Sequence, residues 1–249
     1  VTSAGRRTGV ILAAGFGSRL QDSGRDDKLK PLTLVGGVPL LVRATQSLKT
    51  AGCERVVIVL GFGADHVEAG FRAYPAELPE VVFTINPRFD LKNGVSVLAA
   101  RPHLLGDEFI LMMADHVVDD DVMQLAGAHP LAAGTAALLV DAKLDTIFDM
   151  DDATKVVVDA ERRITKIGKE LPSFTHVDCG VFVCTTGLMD SLDEVYRAEG
   201  DTSLSDGVQA LARSGRMYAV DIGAGFWQDI DTPAMLQHAE RVLASRTSR

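Results

Sequence analysis

The sequence predicts an α/β fold: a Rossmann-like, doubly wound, mixed but mostly parallel sheet with an antiparallel substrate-binding subdomain. Three observations carry this. Short apolar runs of strand character alternate with amphipathic stretches over the first 141 residues, the pattern of a mostly parallel sheet covered by helices on both faces. Beyond residue 150 the alternation gives way to consecutive short strands. The first strand ends in Gly15-Phe16-Gly17, and in open sheets ligands sit beyond the carboxyl ends of strands.

Taken in order, hydrophobic periodicity gives strand 8–14, helix 38–51, strand 55–60, helix 63–73, strand 81–85, helix 94–102, strand 108–114, helix 119–127 and strand 136–141. Residues 153–158 and 162–167 read as a hairpin about the turn "DAER". Strand 176–184, helices 186–198 and 203–214, strand 216–222, a short strand 226–230 and helix 233–246 complete the chain. Neither a low-complexity linker nor an internal repeat divides the halves, so the expectation is one domain over 8–246 with 1–7 as a tail.

Composition narrows the class. At 249 residues with 47% hydrophobic content the chain can bury a full core. A net charge of −9 repels nucleic acid and acidic membranes, so an anion must be caught by a local cationic pocket. The apolar runs fall short of the roughly 20 residues that span a bilayer, and "VTSAGRRTG" lacks a signal peptide's apolar core, which together predict a cytoplasmic protein without membrane insertion. Cys53, Cys179 and Cys184 match no metal spacing and read as buried thiols.

The stretch "GVILAAGFGSRLQDSGRDDKLKPL" is the most informative. Two glycines after a strand let consecutive N–H groups face one concavity suited to phosphate. Arg19 offers a planar donor fork and Lys30 a mobile point charge. A dinucleotide fingerprint would need glycine where Leu20 stands and an acid where the second strand ends in "VLGFG". A Walker loop is also missing from the sequence.

"LAAGFGSRL" followed by "KPL" resembles the signature of the nucleotidyltransferases that join a nucleoside triphosphate to a phosphorylated small molecule. The resemblance implies that Ala13, Ala14, Gly15 and Gly17 wrap the nucleotide. It implies that Arg19 and Lys30 stabilise charge on the α-phosphate and the departing pyrophosphate, with Lys28 near enough to Lys30 to compete for that role.

"FILMMADHVVDDD" runs a strand into Asp115, whereas Asp119, Asp120 and Asp121 read as a helix start. In "GFWQDIDTPAM", Asp229 and Asp231 alternate with Ile230, which would turn both carboxylates to one side. The resemblance implies that Asp115, with Asp229 or Asp231, holds Mg²⁺; the choice between the last two stays open. An EF-hand reading of "DMDDATKVVVDA" fails, because Thr154 takes the glycine position and Ala160 the glutamate position. His116 has no second histidine nearby and reads as a loop residue rather than a ligand.

For the second substrate, "RITKIGKELPSFTHVDCGVFV" offers Lys166 and Lys169, with a bulge at Gly168 to bring both to one side, followed by Asp178 and Gly180. "LMMADHV", "ATKVVVDAERRITKIGKEL", "VDCGVFV" and "FWQDIDT" together resemble the inositol-1-phosphate cytidylyltransferases. That likeness covers about residues 8–240 and implies CTP and inositol 1-phosphate as substrates, with Asn93 and Gly94 beside the base or ribose. Many such enzymes are fused to a membrane-embedded partner; the reading here is of a free-standing enzyme, with homodimerisation open. Phosphocholine, an aminoalkyl phosphonate or a sugar 1-phosphate is the alternative acceptor, and a glycosyltransferase or a non-catalytic nucleotide sensor is the alternative class. Few aromatics argue against a choline cage.

Overall fold

The structure, a computed structural model, describes residues 7–15 and 29–247. The first half lays down strands β1 (Thr8–Ala13), β2 (Leu34–Val35), β3 (Val38–Pro39), β4 (Arg55–Leu60), β5 (Glu80–Ile85), β6 (Glu108–Met113), β7 (His116–Val118) and β8 (Ala136–Asp141). Between them lie helices α1 (Leu40–Thr50), α2 (Ala64–Arg72), α3 (Gly94–Ala99) and α4 (Asp120–Ala128). The second half adds β9 (Lys155–Val158), β10 (Ile164–Gly168), β11 (His176–Thr185), α5 (Thr186–Glu199), α6 (Leu204–Arg213), β12 (Met217–Asp221), β13 (Trp227–Asp229) and α7 (Pro233–Thr247).

The central sheet runs β10-β9-β11-β6-β1-β4-β5, and β8 pairs with both β11 and β12. Strands β6, β1, β4 and β5 are parallel, whereas β11 runs antiparallel to β6, β8 and β9. Alternating side chains explain why helices cover both faces. Ile11, Ile58 and Met112 point to one layer, where Leu48 of α1, Phe71 of α2 and Met123 of α4 pack. Val10, Val57 and Leu111 point to the other, against Val97 of α3, Leu192 of α5 and Val208 of α6.

Most elements fall within one or two residues of their expected bounds, and the differences have local causes. The helix expected from 38 begins at Leu40, because Gly36 and Gly37, both at positive φ, turn β2 back onto β3. Helix α3 stops at Ala99, ahead of Pro102 in a short 3-10 turn, since proline lacks the N–H that would continue it. The residue expected to close the N-terminal tail, Arg7, is docked: its guanidinium donates to Gly127 O at 2.6 Å and pairs with Glu108 at 2.8 Å.

Two small features shape the functional end. Strand β7, where sequence reading placed only a loop, pairs antiparallel with β13 and sets His116 directly opposite Asp229. In β11 the pairing with β8 shifts register between Asp178 and Phe182, a bulge centred on Gly180, whose φ is +73°. Ile230, wholly buried with Leu236 and Ala239 of α7, anchors β13 against Leu40 and Val117.

Candidate active site

At the carboxyl ends of β1, β5 and β6 opens a cleft of about 390 Å³. Ala14 and Gly15 lie at its β1 side, Asn93 and Ser96 at one end, Asp178 and Gly180 on the β11 wall, and Lys169 at the mouth. Ala13, one residue earlier, lines a small adjoining recess with Lys30 and Asp115. Gly17 and Arg19, like Lys28, lie outside the described residues.

Three distant segments converge on Lys30. Pro31 sets the turn Lys30–Leu32, and the Lys30 ammonium bridges Asp115 Oδ2 and Asp231 Oδ1. Burial alone would lower the Lys30 pKa, but the charges and hydrogen bonds of the two carboxylates outweigh it and raise it. Asp115 is likewise pulled well below the usual carboxylate range: burial acts upward, and the His116 hydrogen bond, the Lys30 charge and the His116 charge act downward and win. The peptide of β13 is tied to the same point, because Ile230 N–H donates to Asp115 O at 2.9 Å.

Asp229 behaves in the opposite sense. Burial, then repulsion from Asp231 and Asp115, raises its pKa against the pull of His116. Gln228 Nε2 donates to Asp229 Oδ1 at 2.9 Å. One carboxylate oxygen from each of Asp152, Asp229 and Asp231 lies within 4.8 Å of the others, a hard-oxygen set that could hold a metal ion. Crowded carboxylates with an upward-shifted member are what a divalent cation would relieve, so the donor chemistry fits Mg²⁺.

The wall opposite carries Asp178, pushed up to about 6 by burial despite accepting the Gly180 N–H at 2.6 Å. Lys169 reaches the cleft mouth and pairs with Asp152 at 2.6 Å. Lys166 does not join it. The register shift in the hairpin falls between Ile164 and Lys166 rather than at Gly168, so Lys166 stays exposed on β10, away from the cleft lining. Gly94 is also displaced from its expected role: it is buried under α6, where a Cβ would sit 2.6 Å from Thr202 O. Asn93 does line the cleft, and its Oδ1 accepts the Leu204 N–H at 2.9 Å.

Four residues of the site escaped sequence reasoning. His116 is not a loop residue but the first residue of β7, bonded to Asp115 Oδ1 at 2.8 Å and stacked on Trp227. Asp152 lay in the acidic run tested only as an EF-hand, although the acids directly before β9 were the available signal. Trp227 carried one as well, being the chain's single tryptophan next to the D-x-D.

The fourth is Ser96. Arg88 N–H can only donate, so Asn86 turns its Oδ1 to it at 2.9 Å and its amide to Ser96 Oγ at 3.0 Å. Ser96 therefore accepts, and its own proton has no acceptor among the described residues. The sequence-derived reading of the cysteines holds: all three are free and buried, with Cys53 pushed up to about 12 by burial. They are inert thiols.

Residues 9–164 match the model of the MobA-like NTP transferase domain. The chain belongs to that family. Among its relatives, the bifunctional IPC transferase and DIPP synthase of Rubrobacter xylanophilus is 33% identical over 239 residues, covering 94% of this chain and 51% of that protein. The chain thus spans about half the length of that relative. The UTP–glucose-1-phosphate uridylyltransferase AglF of Haloferax volcanii is 25% identical, covering 96% of this chain and 98% of the other. Among solved structures, the inositol-1-phosphate CTP transferase from T. maritima superposes with a TM-score of 0.82 at 29% identity, over 95% of each chain. No helix among the described residues is long and apolar enough to cross a membrane.

Proposed function

We propose that the protein transfers a cytidylyl group from CTP to inositol 1-phosphate, releasing pyrophosphate and forming CDP-inositol. The observation that carries the transfer chemistry is the Lys30 ammonium held between Asp115 and Asp231, at the end of β1 where the family places a nucleotide. The acceptor is supported by the likeness to the T. maritima inositol-1-phosphate CTP transferase across 95% of both chains.

The chain's residues divide the work as follows. The backbone of Ala13, Ala14 and Gly15 borders the triphosphate, and Ser96 offers its unmatched proton to an acceptor on the cytosine ring. Lys30 leaves its two carboxylates to meet the phosphate charge, as Arg19 would from the neighbouring loop. Lys169 and Asp178 border the acceptor, the first for its phosphate and the second for a hydroxyl. Asp152, Asp229 and Asp231 would hold Mg²⁺, with Asp115 joining them once Lys30, which links it to Asp231, turns to the phosphates; when bound the ion neutralises phosphate charge and orients the two reacting groups.

Bond making needs no protein base. A phosphate monoester has its second pKa near ~6 and is already a dianion at neutral pH, so its oxygen attacks the α-phosphorus directly. The P–O bond to the β-phosphate breaks, and pyrophosphate departs with that electron pair. The obstacle is repulsion between two anions, which cations and alignment remove. A choline acceptor is disfavoured by the geometry of Trp227, whose ring lies 12° from parallel to His116, leaving that face unavailable to a quaternary ammonium.

The test is pyrophosphate release with Mg²⁺ over four nucleoside triphosphates and four acceptors: inositol 1-phosphate, phosphocholine, 2-aminoethylphosphonate and glucose 1-phosphate. The expected result is one dominant pair, CTP with inositol 1-phosphate. Dominance of UTP with glucose 1-phosphate would overturn the substrate and keep the chemistry. Release in none of the sixteen combinations would overturn both.

A further inference from the structure

We infer that His116 is a positioning residue: its Nδ1–H holds Asp115 Oδ1, so that Oδ2 alone is presented toward Lys30 and the metal-binding acids. The inference rests on the nucleotidyl-transfer reading of the cleft and adds to it the residue that orients its central carboxylate.

Asp115 divides its two oxygens. Oδ1 meets His116 Nδ1 at 2.8 Å, and Oδ2 meets Lys30. A carboxylate can only accept, so Nδ1 carries the proton, which fixes the tautomer or charge state available to the ring. Without that bond the carboxylate could rotate about its terminal torsion, which has broad, roughly two-fold wells.

The ring is held on two sides. Trp227 stacks on it with centroids 5.9 Å apart, and the Trp227 indole N–H is itself anchored on buried Asp141 at 3.1 Å. The β11 bulge brings Gly180 against the ring edge, where a Cβ would fall 2.5 Å from His116 Nε2. Strand pairing fixes the backbone as well, since His116 is opposite Asp229 in the β7–β13 ribbon. A surface loop histidine would need none of these constraints. Here four segments, β7, β8, β11 and β13, fix the direction of one N–H.

The test compares three substitutions. His116→Asn places an amide N–H near the former Nδ1, His116→Gln places one near Nε2 and misses Asp115, and His116→Ala removes the donor. A residue that holds a metal-binding side chain in place through a hydrogen bond is worth about 10–100-fold in metal affinity or activity. Expected for His116→Ala and His116→Gln is a kcat lower by about that factor with the KM for CTP within about twofold, and for His116→Asn recovery of most of the loss.

Mn²⁺ binding to the protein without substrates, followed by calorimetry, is the readout independent of turnover: weakened in Ala and Gln, retained in Asn. Equal behaviour of Asn and Gln, or an unchanged kcat and Mn²⁺ affinity in Gln, overturns the inference even if His116→Ala does not fold. Should wild-type turnover be missing from every substrate pair, the Mn²⁺ series still decides the positioning role, so the two failures are separable.

Discussion

Replacing Lys30 by methionine keeps a flexible unbranched side chain, one atom shorter, and deletes its charge, which leaves Asp115 and Asp231 facing each other. The Lys30 side chain is 12% exposed, against 30% for Asp115 and 20% for Asp231. Breaking a fully buried pair costs about 3–5 kcal/mol and an exposed one about 0–1. This site lies between those limits, so a loss of about 2 kcal/mol is expected. For a chain of this size that lowers Tm by about 4–8 °C. Mg²⁺ supplies the missing counter-charge to the same acids and should restore at least half of the shift, whereas it should change the wild-type Tm less. Turnover responds differently, because a divalent ion cannot also serve as the mobile cation on the leaving phosphates; kcat should fall by about 10²–10³ at saturating Mg²⁺. The assay is differential scanning fluorimetry with and without Mg²⁺, beside pyrophosphate release. An unchanged Tm together with a kcat within threefold of wild type would refute the reasoning.

Three further outcomes follow from the same geometry. Asp178 has its folded pKa raised to about 6 from an ordinary 3.8, so the folded state binds the extra proton between those values and stability falls as pH rises through that window. Because the carboxyl is partly open to the cleft, Asp178→Asn should gain only about 1–2 kcal/mol at pH 7.5, flatten the pH 4–6 slope in thermal melts, and weaken acceptor use. Lys169→Ala should raise the acceptor KM about tenfold or more while leaving the KM for CTP within twofold; an unmoved acceptor KM would make Lys169 a structural partner of Asp152 only. Ser96→Ala removes one buried donor and should raise the KM for CTP about tenfold, roughly 1–1.5 kcal/mol, with the acceptor KM unchanged, and initial-rate kinetics would show whether it does.

How far the sequence could be read depended on whether a signal was local. Strand β4 carries five successive buried apolar residues, Val56 to Leu60, and matched its expected span because nothing outside that stretch decides it. The turn before α7 was equally self-contained, with Thr232 Oγ1 accepting the Met235 N–H ahead of the helix that Pro233 opens. Asp115, Asp229 and Lys30 were visible because each closes a run of recognisable chemistry.

What stayed hidden depends on pairing between distant segments. Strand β7 is three residues long, and only its pairing with the distant β13, which sets His116 opposite Asp229, makes it a strand. Its first residue was therefore read as loop, and the bond to Asp115 was lost with it. Lys166 and Gly94 failed for the converse reason. A lysine two residues from a glycine and an Asn-Gly before a helix are local patterns, yet register decides which way the first points and the Thr202–Ser203 backbone decides what space the second has. The same distinction bears on Asp152, which nothing in its own stretch separates from three neighbouring acids. Its place within 4.8 Å of Asp229 and Asp231 arises because the loop after β8 meets the end of a ribbon that pairs the middle of the chain with its C-terminal part. Chemistry at this cleft is thus assembled by β-pairing, and substitutions that leave every cleft residue intact but disturb the β7–β13 register should reach Asp115 before they reach the fold.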